Sequence, residues 1–471
     1  MENGFRFHFP RLGAIIYHGF IYTGRLDLEC FGTIIRCNAR IGRMNHLSIN
    51  PRSANIVDSF RLLKGNTRVS VVFEPLWGIP FVLYNFYLSL FMKAMGVTNI
   101  EIGYIIAIGA IASAVFSLSS GVVTDVLGRK RTTFIFDLIA WPGAVLLYLL
   151  SHNFWMFALA TVVNSSVKIV SVSWNLMVVE DADSRQQIAA YNILNIITVS
   201  MGLLIPFAGI MIGALGIING ERVLLIFALI SMTIMIVGRN HFYRETKVGE
   251  QLRNEHRQNG LKGLLTKNAF HQAWSGLQEK PVLKMVIAVV ILFNAYIPIG
   301  TFTSLYYAPY LTEALQLNNS AIAILGGLGP AVMFLVFMFF MPKIAETERL
   351  PVMIGGIFIQ IAGLLGLIFA PCRNFYFVMF IVMLFSIGYS ITKPFLDSLL
   401  ATATAGKERA GIYAIYNTIT SILGALLGFA SGYLYKFHPG LIYGLSILIL
   451  LLCAAILFRY HCHCMEEKNA T

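Results

Sequence analysis

The chain has 471 residues, of which 57% are hydrophobic and only 12% charged, and its mean hydropathy is +0.71. A soluble domain has no use for so much apolar surface, whereas a series of ~20-residue membrane spans does. The formal charge of +12 is carried in loops between apolar runs, a pattern that the cytosolic bias of cations explains better than nucleic-acid binding does, so no nucleic-acid partner is expected. Six scattered cysteines, Cys30, Cys37, Cys372, Cys453, Cys462 and Cys464, make no disulfide framework.

Residues 1–43 hold six arginines and no lysine, and show no long apolar run ending in a cleavage site, so they do not read as a signal peptide. They read as an unplaced extension with Met44 as the working start, the alternative being a disordered or regulatory tail. Within 44–68, Ile56, Phe60 and Leu63 beside Arg61, Lys64 and Arg68 predict a short helix in the cytosolic interface. Twelve membrane spans follow, at about 69–92, 101–123, 132–150, 154–179, 187–214 and 222–239, then 282–311, 320–341, 351–370, 375–400, 409–434 and 439–459.

An even number of spans puts both termini on one side. Loops on that side carry Arg129–Arg131, Arg185, Lys343, Arg349, Lys407 and Arg409, and the polar 240–281 connector adds seven more cations. The opposite loops offer Lys93, Arg222, Arg373 and Lys436. Both termini are therefore expected in the cytosol, with the protein multi-pass in the plasma membrane.

The connector separates two halves, 69–239 and 282–460, and a tail at 461–471 closes the chain. The halves repeat one another. Phe73-Glu74 matches Phe293-Asn294 at an offset of 220, and the same offset pairs Tyr87 with Tyr307 and Asn99 with Asn319. Asn153-Phe154-Trp155 recurs as Asn374-Phe375-Tyr376, and Lys168 precedes Asn192 by the same 24 residues that separate Lys393 from Asn417. The fold class predicted is an all-α membrane protein of two six-helix bundles related by a parallel repeat.

Between spans 2 and 3 lies Gly121-Val-Val-Thr-Asp125-Val-Leu-Gly128-Arg129-Lys130-Arg131. The two glycines are expected to supply the freedom of a tight turn. This stretch resembles the signature loop of the major facilitator superfamily, G-x-x-x-D-[RK]-x-G-[RK]-[RK]-[RK], with Val126 in place of one cation. The resemblance implies a twelve-helix transporter in which Asp125, flanked by Arg129, Lys130 and Arg131, helps latch the two halves in the outward-facing state.

Charges inside spans are costly and call for a partner or a function. Glu74, between Phe73 and Pro75, reads either as a proton-titrating carboxylate or as an interfacial acid paired with a cation such as Arg68. Pro75, Gly78 and Pro80 suggest a bent first span. Lys168 stands 12 residues from Glu180, ~18 Å at the helical rise, and so deep in the bilayer. By resemblance it occupies the place of a span-4 cation that faces the cavity and takes part in proton coupling. Lys393 forms an i,i+4 pair with Asp397, the alternative being that both lysines make an anion site on the axis between the halves. Asp137 is expected to pair with Lys168 or with a cation at the cytosolic end. Asn192 and Asn417 read as hydrogen-bonding glue between helices.

Glu180, Asp181 and Asp183 with Arg185 read as a solvated loop, or by resemblance as part of the latch. Gly202 to Gly209, around Pro206, resembles in degraded form the span-5 motif of proton antiporters, with close helix packing as the alternative. His461-Cys462-His463-Cys464 has too few ligands for a metal site. No G-x-S-x-G, H-E-x-x-H or Walker A pattern occurs, so neither an enzyme nor a cofactor is expected. The predicted function is a secondary transporter, expected as a monomer, coupling protons to the export of small amphiphilic or drug-like molecules. The alternative is import or exchange of a small organic anion or sugar-type solute.

Overall fold

The computed structural model describes residues 56–259, 281–344, 349–403 and 409–470. The expectations for residues 1–43 and for Met44 lie outside them, as does the 260–280 part of the connector. Within the described chain, eleven helical stretches are long and apolar enough to cross a membrane. One of these, Arg185–Phe242, runs for 58 residues, far beyond the ~20 a bilayer needs. It folds back at Gly216, whose φ of 76° is open to glycine and strained for other residues. Counting both arms, the spans number twelve, as the hydropathy pattern predicts.

The repeat seen in sequence is partly a repeat of helix starts. Asn153 accepts a hydrogen bond from the Met156 amide at 3.1 Å, and Asn374 does the same for Phe377 at 3.1 Å. These two asparagines cap spans 4 and 10. Thr98 and Asn318 cap spans 2 and 8, the former in a reciprocal capping box with Glu101. Each span then buries one face. In span 6 Leu224, Leu225, Ala228, Met232, Met235 and Arg239 face inward, while Ile226, Ile230, Ile234 and Val237 form the exposed apolar stripe suited to lipid.

Several details add to or differ from expectation. Span 1 is one continuous helix, Gly65–Ala94, with Pro75 and Pro80 inside it. Its repeat mate is the broken one: Pro281–Gly300 ends before helix resumes at Tyr307–Pro309. Pro298 and Pro309 deprive that region of two amide donors, and Thr301 Oγ1 bonds back to the Ile297 carbonyl at 2.9 Å. Gly121 lies inside the helix Asn99–Leu127 with open space around it, so the turn rests on Gly128 alone, at φ 84°. Span 6 begins before residue 222 and takes Glu221 into the helix. The predicted tail continues span 12 as helix to Ala470.

The halves meet at the end of the bundle away from the Gly128 turn, called here the far end; the Gly128 side is the basic end. Spans 2 and 11 touch backbone to backbone there. A methyl group at Gly103 would lie 2.7 Å from the Gly428 carbonyl oxygen, and one at Gly432 would lie 3.0 Å from the Ile100 Cα. Tyr104 and Tyr433 share a hydroxyl–hydroxyl bond of 2.7 Å across this seam. Alongside it, Gly202, Pro206 and Gly209 of span 5 pack on Pro330, Gly327 and Ala323 of span 8. Close packing thus accounts for the small residues of span 5. Lys93 forms an ion pair with Glu313 of the other half, and the Tyr306 hydroxyl donates to the Asn99 carbonyl at 3.0 Å.

Candidate functional site

Three charged side chains converge inside the first half near its basic end: Glu74 from span 1, Asp137 from span 3 and Arg239 from span 6. Their relative exposures are 8%, 1% and 4%, which places all three out of water and lipid alike. Arg239 forms an ion pair with Asp137. Glu74 lies in the field of the same guanidinium and of the Asp137 carboxylate. Asp137 Oδ1 has no hydrogen-bond partner among the described residues. The cluster therefore holds two carboxylates and one cation in a low-dielectric place, where an uncompensated charge is expensive.

Local structure explains how the acids are held. Directly after Asp137 and Leu138, span 3 widens into a π-helical turn, Ile139–Gly143, around Pro142. The Ala140 carbonyl accepts from Asn164 Nδ2 at 2.9 Å. Such turns recur at functional sites because they re-aim side chains. Trp77, Phe81 and Trp141 stack and cross edge to face beside the cluster, with centroids 5.1–5.6 Å apart. At the helix end, the Arg239 guanidinium lies 5.7 Å over the Tyr243 ring. Burial pushes the Tyr243 phenol up to about 12, so it stays a neutral group, sharing a 2.6 Å bond with Ser70 Oγ.

Of the two partners expected for Asp137, the structure gives the basic-end cation, Arg239, and not Lys168. Glu74 is not paired with Arg68, whose guanidinium lies 5.5 Å over the Phe60 ring.

Lys168 follows a break in span 4 at Ser165 and Ser166, where Ser165 Oγ bonds the Gly109 carbonyl at 3.1 Å. It is half-buried, and its ammonium has no hydrogen bond or ion pair among the described residues. Ser171 and Asn175, at i+3 and i+7 on the same helical face, are exposed, and the Tyr191 hydroxyl donates to Asn175 Oδ1 at 3.3 Å. Asn192, next to Tyr191, is exposed with no side-chain hydrogen bond among the described residues, so it does not glue helices. Asn417 is half-buried. Lys393 is bound to Asp397 at 2.5 and 2.6 Å, the local pair, which separates it chemically from Lys168.

The signature loop forms a second cluster at the basic end. Arg129 bonds Asp125 at 2.7 Å and Glu180 at 3.0 Å, and Thr246 Oγ1 donates to Glu180 at 2.5 Å. Glu180 is thus an inner member of the cluster and not a solvated loop residue. The Glu245 carboxylate accepts from the amides of Arg129 at 2.8 Å and Lys130 at 3.3 Å, at the start of span 3. A methyl at Gly128 would meet that carboxylate at 2.5 Å, a second reason for glycine there. Lys130 Nζ donates to the Tyr243 carbonyl at 2.7 Å, and Arg131 lines a surface cleft with Asn240 and Arg253. We expect Glu245→Ala to free two helix-start amides and lower stability by about 1 kcal/mol, read as a fall in apparent melting temperature of the purified protein.

Sequence reasoning missed Arg239, Glu221, Glu245 and Thr246. The first sits at a span end, where a cation looks like an interfacial anchor. Glu221 belongs to Asn219-Gly220-Glu221-Arg222, which looks like an inter-helix loop.

Two bundles of six spans, seamed at the far end among the described residues and carrying buried charges, have the architecture of a two-half membrane transporter. Comparison with known proteins agrees: the Major Facilitator Superfamily model matches residues 77–308 and 295–463, and the chain belongs to that family. No curated protein matches it in sequence. Among solved structures it is similar to a D-xylose–proton symporter, at 14% identity and a TM-score of 0.61 over 86% of this chain and 98% of that one. A structure of the xylose transporter XylE from E. coli in an inward-open conformation gives 15% and 0.60, over 84% and 95%. The nucleoside transporter NupG gives 14% and 0.61, over 85% and 99%. A bacterial homologue of the iron transporter ferroportin, outward-facing, gives 16% and 0.56, over 85% and 100%. These likenesses establish the fold; membership of the family makes the chain a secondary transporter.

Proposed function

We propose that this secondary transporter is proton-coupled, with Glu74 and Asp137 carrying the coupled proton and Lys168 contacting substrate. The observation behind this reading is that Arg239 pairs with Asp137 while a second buried carboxylate, Glu74, lies in the same field with no ion pair of its own among the described residues. With both acids ionised the cluster keeps an uncompensated negative charge, which a proton removes. The basic end is assigned to the cytosol from its excess of cations, so the seam at the far end closes the outer side. Rocking of the halves about a midplane site then alternates access. The Asp125–Arg129–Glu180 cluster is the first half's share of a latch that engages when the basic end closes. The protein works as a monomer in the plasma membrane.

The substrate class follows from Lys168. A half-buried ammonium without a counter-ion, on a face with Ser171 and Asn175, suits a small solute with an anionic or strongly accepting group. A second reading, export of amphiphilic or drug-like molecules, draws on the aromatic wall of Trp77, Phe81 and Trp141 beside the acids.

Proteoliposomes with an internal pH dye test both. Small carboxylates and sugar phosphates are expected to trigger proton movement that Glu74→Gln abolishes and Lys168→Met weakens at least tenfold. A response to cationic amphiphiles alone, indifferent to Lys168→Met, moves the assignment to export. Proton movement unchanged in Glu74→Gln and in Asp137→Asn removes the coupling role of the cluster.

A further inference from the structure

A second acid lies at the opposite end of the same half. Glu221 is fully buried, and neither of its carboxylate oxygens has a hydrogen-bond partner among the described residues. It shares the inward face of span 6 with Arg239, 18 residues along, or ~27 Å at the helical rise, so the two acid sites are far apart. Tyr84 and Tyr87 of span 1 lie within electrostatic range of its carboxyl, and Tyr148 of span 3 within range of Tyr84. From span 5 it is backed by Ile212, which packs on the adjacent Gly220. On its own helix Arg222 is exposed. No cation faces it among the described residues. An isolated ionised carboxylate in such a place is untenable, whereas the neutral acid costs only imperfect hydrogen bonding.

Tyr87 ties this side of the half to the seam between the halves. The Tyr87 hydroxyl, itself buried and unpartnered, lies 2.9 Å from where a methyl at Gly209 would stand. Gly209 is in turn covered by Ala323 of span 8, in the other half. Phe86, edge-on to Tyr87 at 5.0 Å, meets Tyr307 of the other half at 6.2 Å. Parting the far end therefore uncovers Gly209 and the Tyr87 hydroxyl.

We propose that Glu221 is a second proton-binding site, protonated while the far-end seam is closed and released to water beside Tyr87 when the seam parts. The step is a simple ionisation: the acid gives its proton to entering water and takes one back before the seam recloses. The proposal rests on the proton-coupled reading above but places a different residue, and a different side of the membrane, in the cycle.

Infrared spectroscopy of the full chain in lipid vesicles, titrated without substrate, tests it separately from the flux assay. A carboxylic-acid carbonyl band is expected at alkaline pH in the parent protein and lost in Glu221→Gln; Glu221→Asp, which keeps an acid, shifts it. In Gly103→Leu, which forces the seam apart, alkaline buffer should abolish that band. Lys93→Gln with Glu313→Gln parts the seam more gently if the leucine variant does not fold. Absence of any Glu221-dependent band in the parent overturns the proposal, because the acid is then ionised. A band that resists alkali equally in parted and closed protein also overturns it, leaving a structural acid. Either failure leaves the effect of Glu74→Gln on proton flux intact, whereas loss of that flux effect with the band present strikes the earlier reading alone.

Discussion

Arg239→Met should destabilise the protein by about 3–5 kcal/mol, because it strands Asp137 in the core without its counter-ion. Asp137 is 1% exposed and Glu74 8%, so neither acid can reach water by a rotamer change. Adding Asp137→Asn to Arg239→Met should recover most of the loss, since a buried pair replaced on both sides costs far less than a pair broken on one. The check is the apparent melting temperature of the four proteins in one detergent, analysed as a double-mutant cycle. If the single and double variants melt together, the Arg239–Asp137 pair does not carry the stability assigned to it. Glu74→Gln in the parent should leave the melting temperature near the parent value, because Arg239 keeps Asp137.

A cross-link across the seam has the other large expected effect. A Cβ atom at Gly424 would stand 3.8 Å from that of Ala110 in the opposite half, within the roughly 3.5–4.5 Å that a disulfide spans. Ala110→Cys with Gly424→Cys should oxidise readily, hold the far end closed and reduce transport to background. Reductant should restore it. Each single cysteine controls for the loss of packing at its own site, and peptide mass analysis reports whether the bond has formed. Formation of the bond with transport undiminished would mean that the far end need not part during the cycle.

How much of this was legible in the residues depended on what each pattern encodes. Spans followed from apolar runs, since the bilayer sets their length, and the recurring Asn-Phe-aromatic triplets marked where two spans start. Asp137 and Glu74 stood out because charge inside a span is rare. Their partner did not. Arg239 lies 102 residues beyond Asp137, and nothing local distinguishes it from the anchoring cations of other span ends. Glu221 was hidden by Gly220 and Arg222, which gave it the look of a turn; only the bend at Gly216 puts it inside the helix. The Lys168–Lys393 repeat pair misled in the opposite sense. Equal spacing suggested equal roles, but Asp397 occurs one turn after Lys393 and has no counterpart after Lys168, where Val172 stands at the same offset. Glu245 sat in a connector whose polarity reads as solvent exposure, and its service to the start of span 3 depends on a long-range return of the chain.

The far-end seam has a thermodynamic character of its own. Where Gly103, Gly428 and Gly432 meet, closure freezes almost no side chains, because glycine has no rotamers to lose. Closure expels the water that the parted seam admits, but glycine against glycine buries little side-chain surface there. Closing and opening there exchange mainly dispersion contacts between backbone and backbone for contacts with lipid or solvent. Such a bearing has little entropy to surrender in either direction, and the balance between its two positions is left to the few ionisable and hydroxyl groups around it.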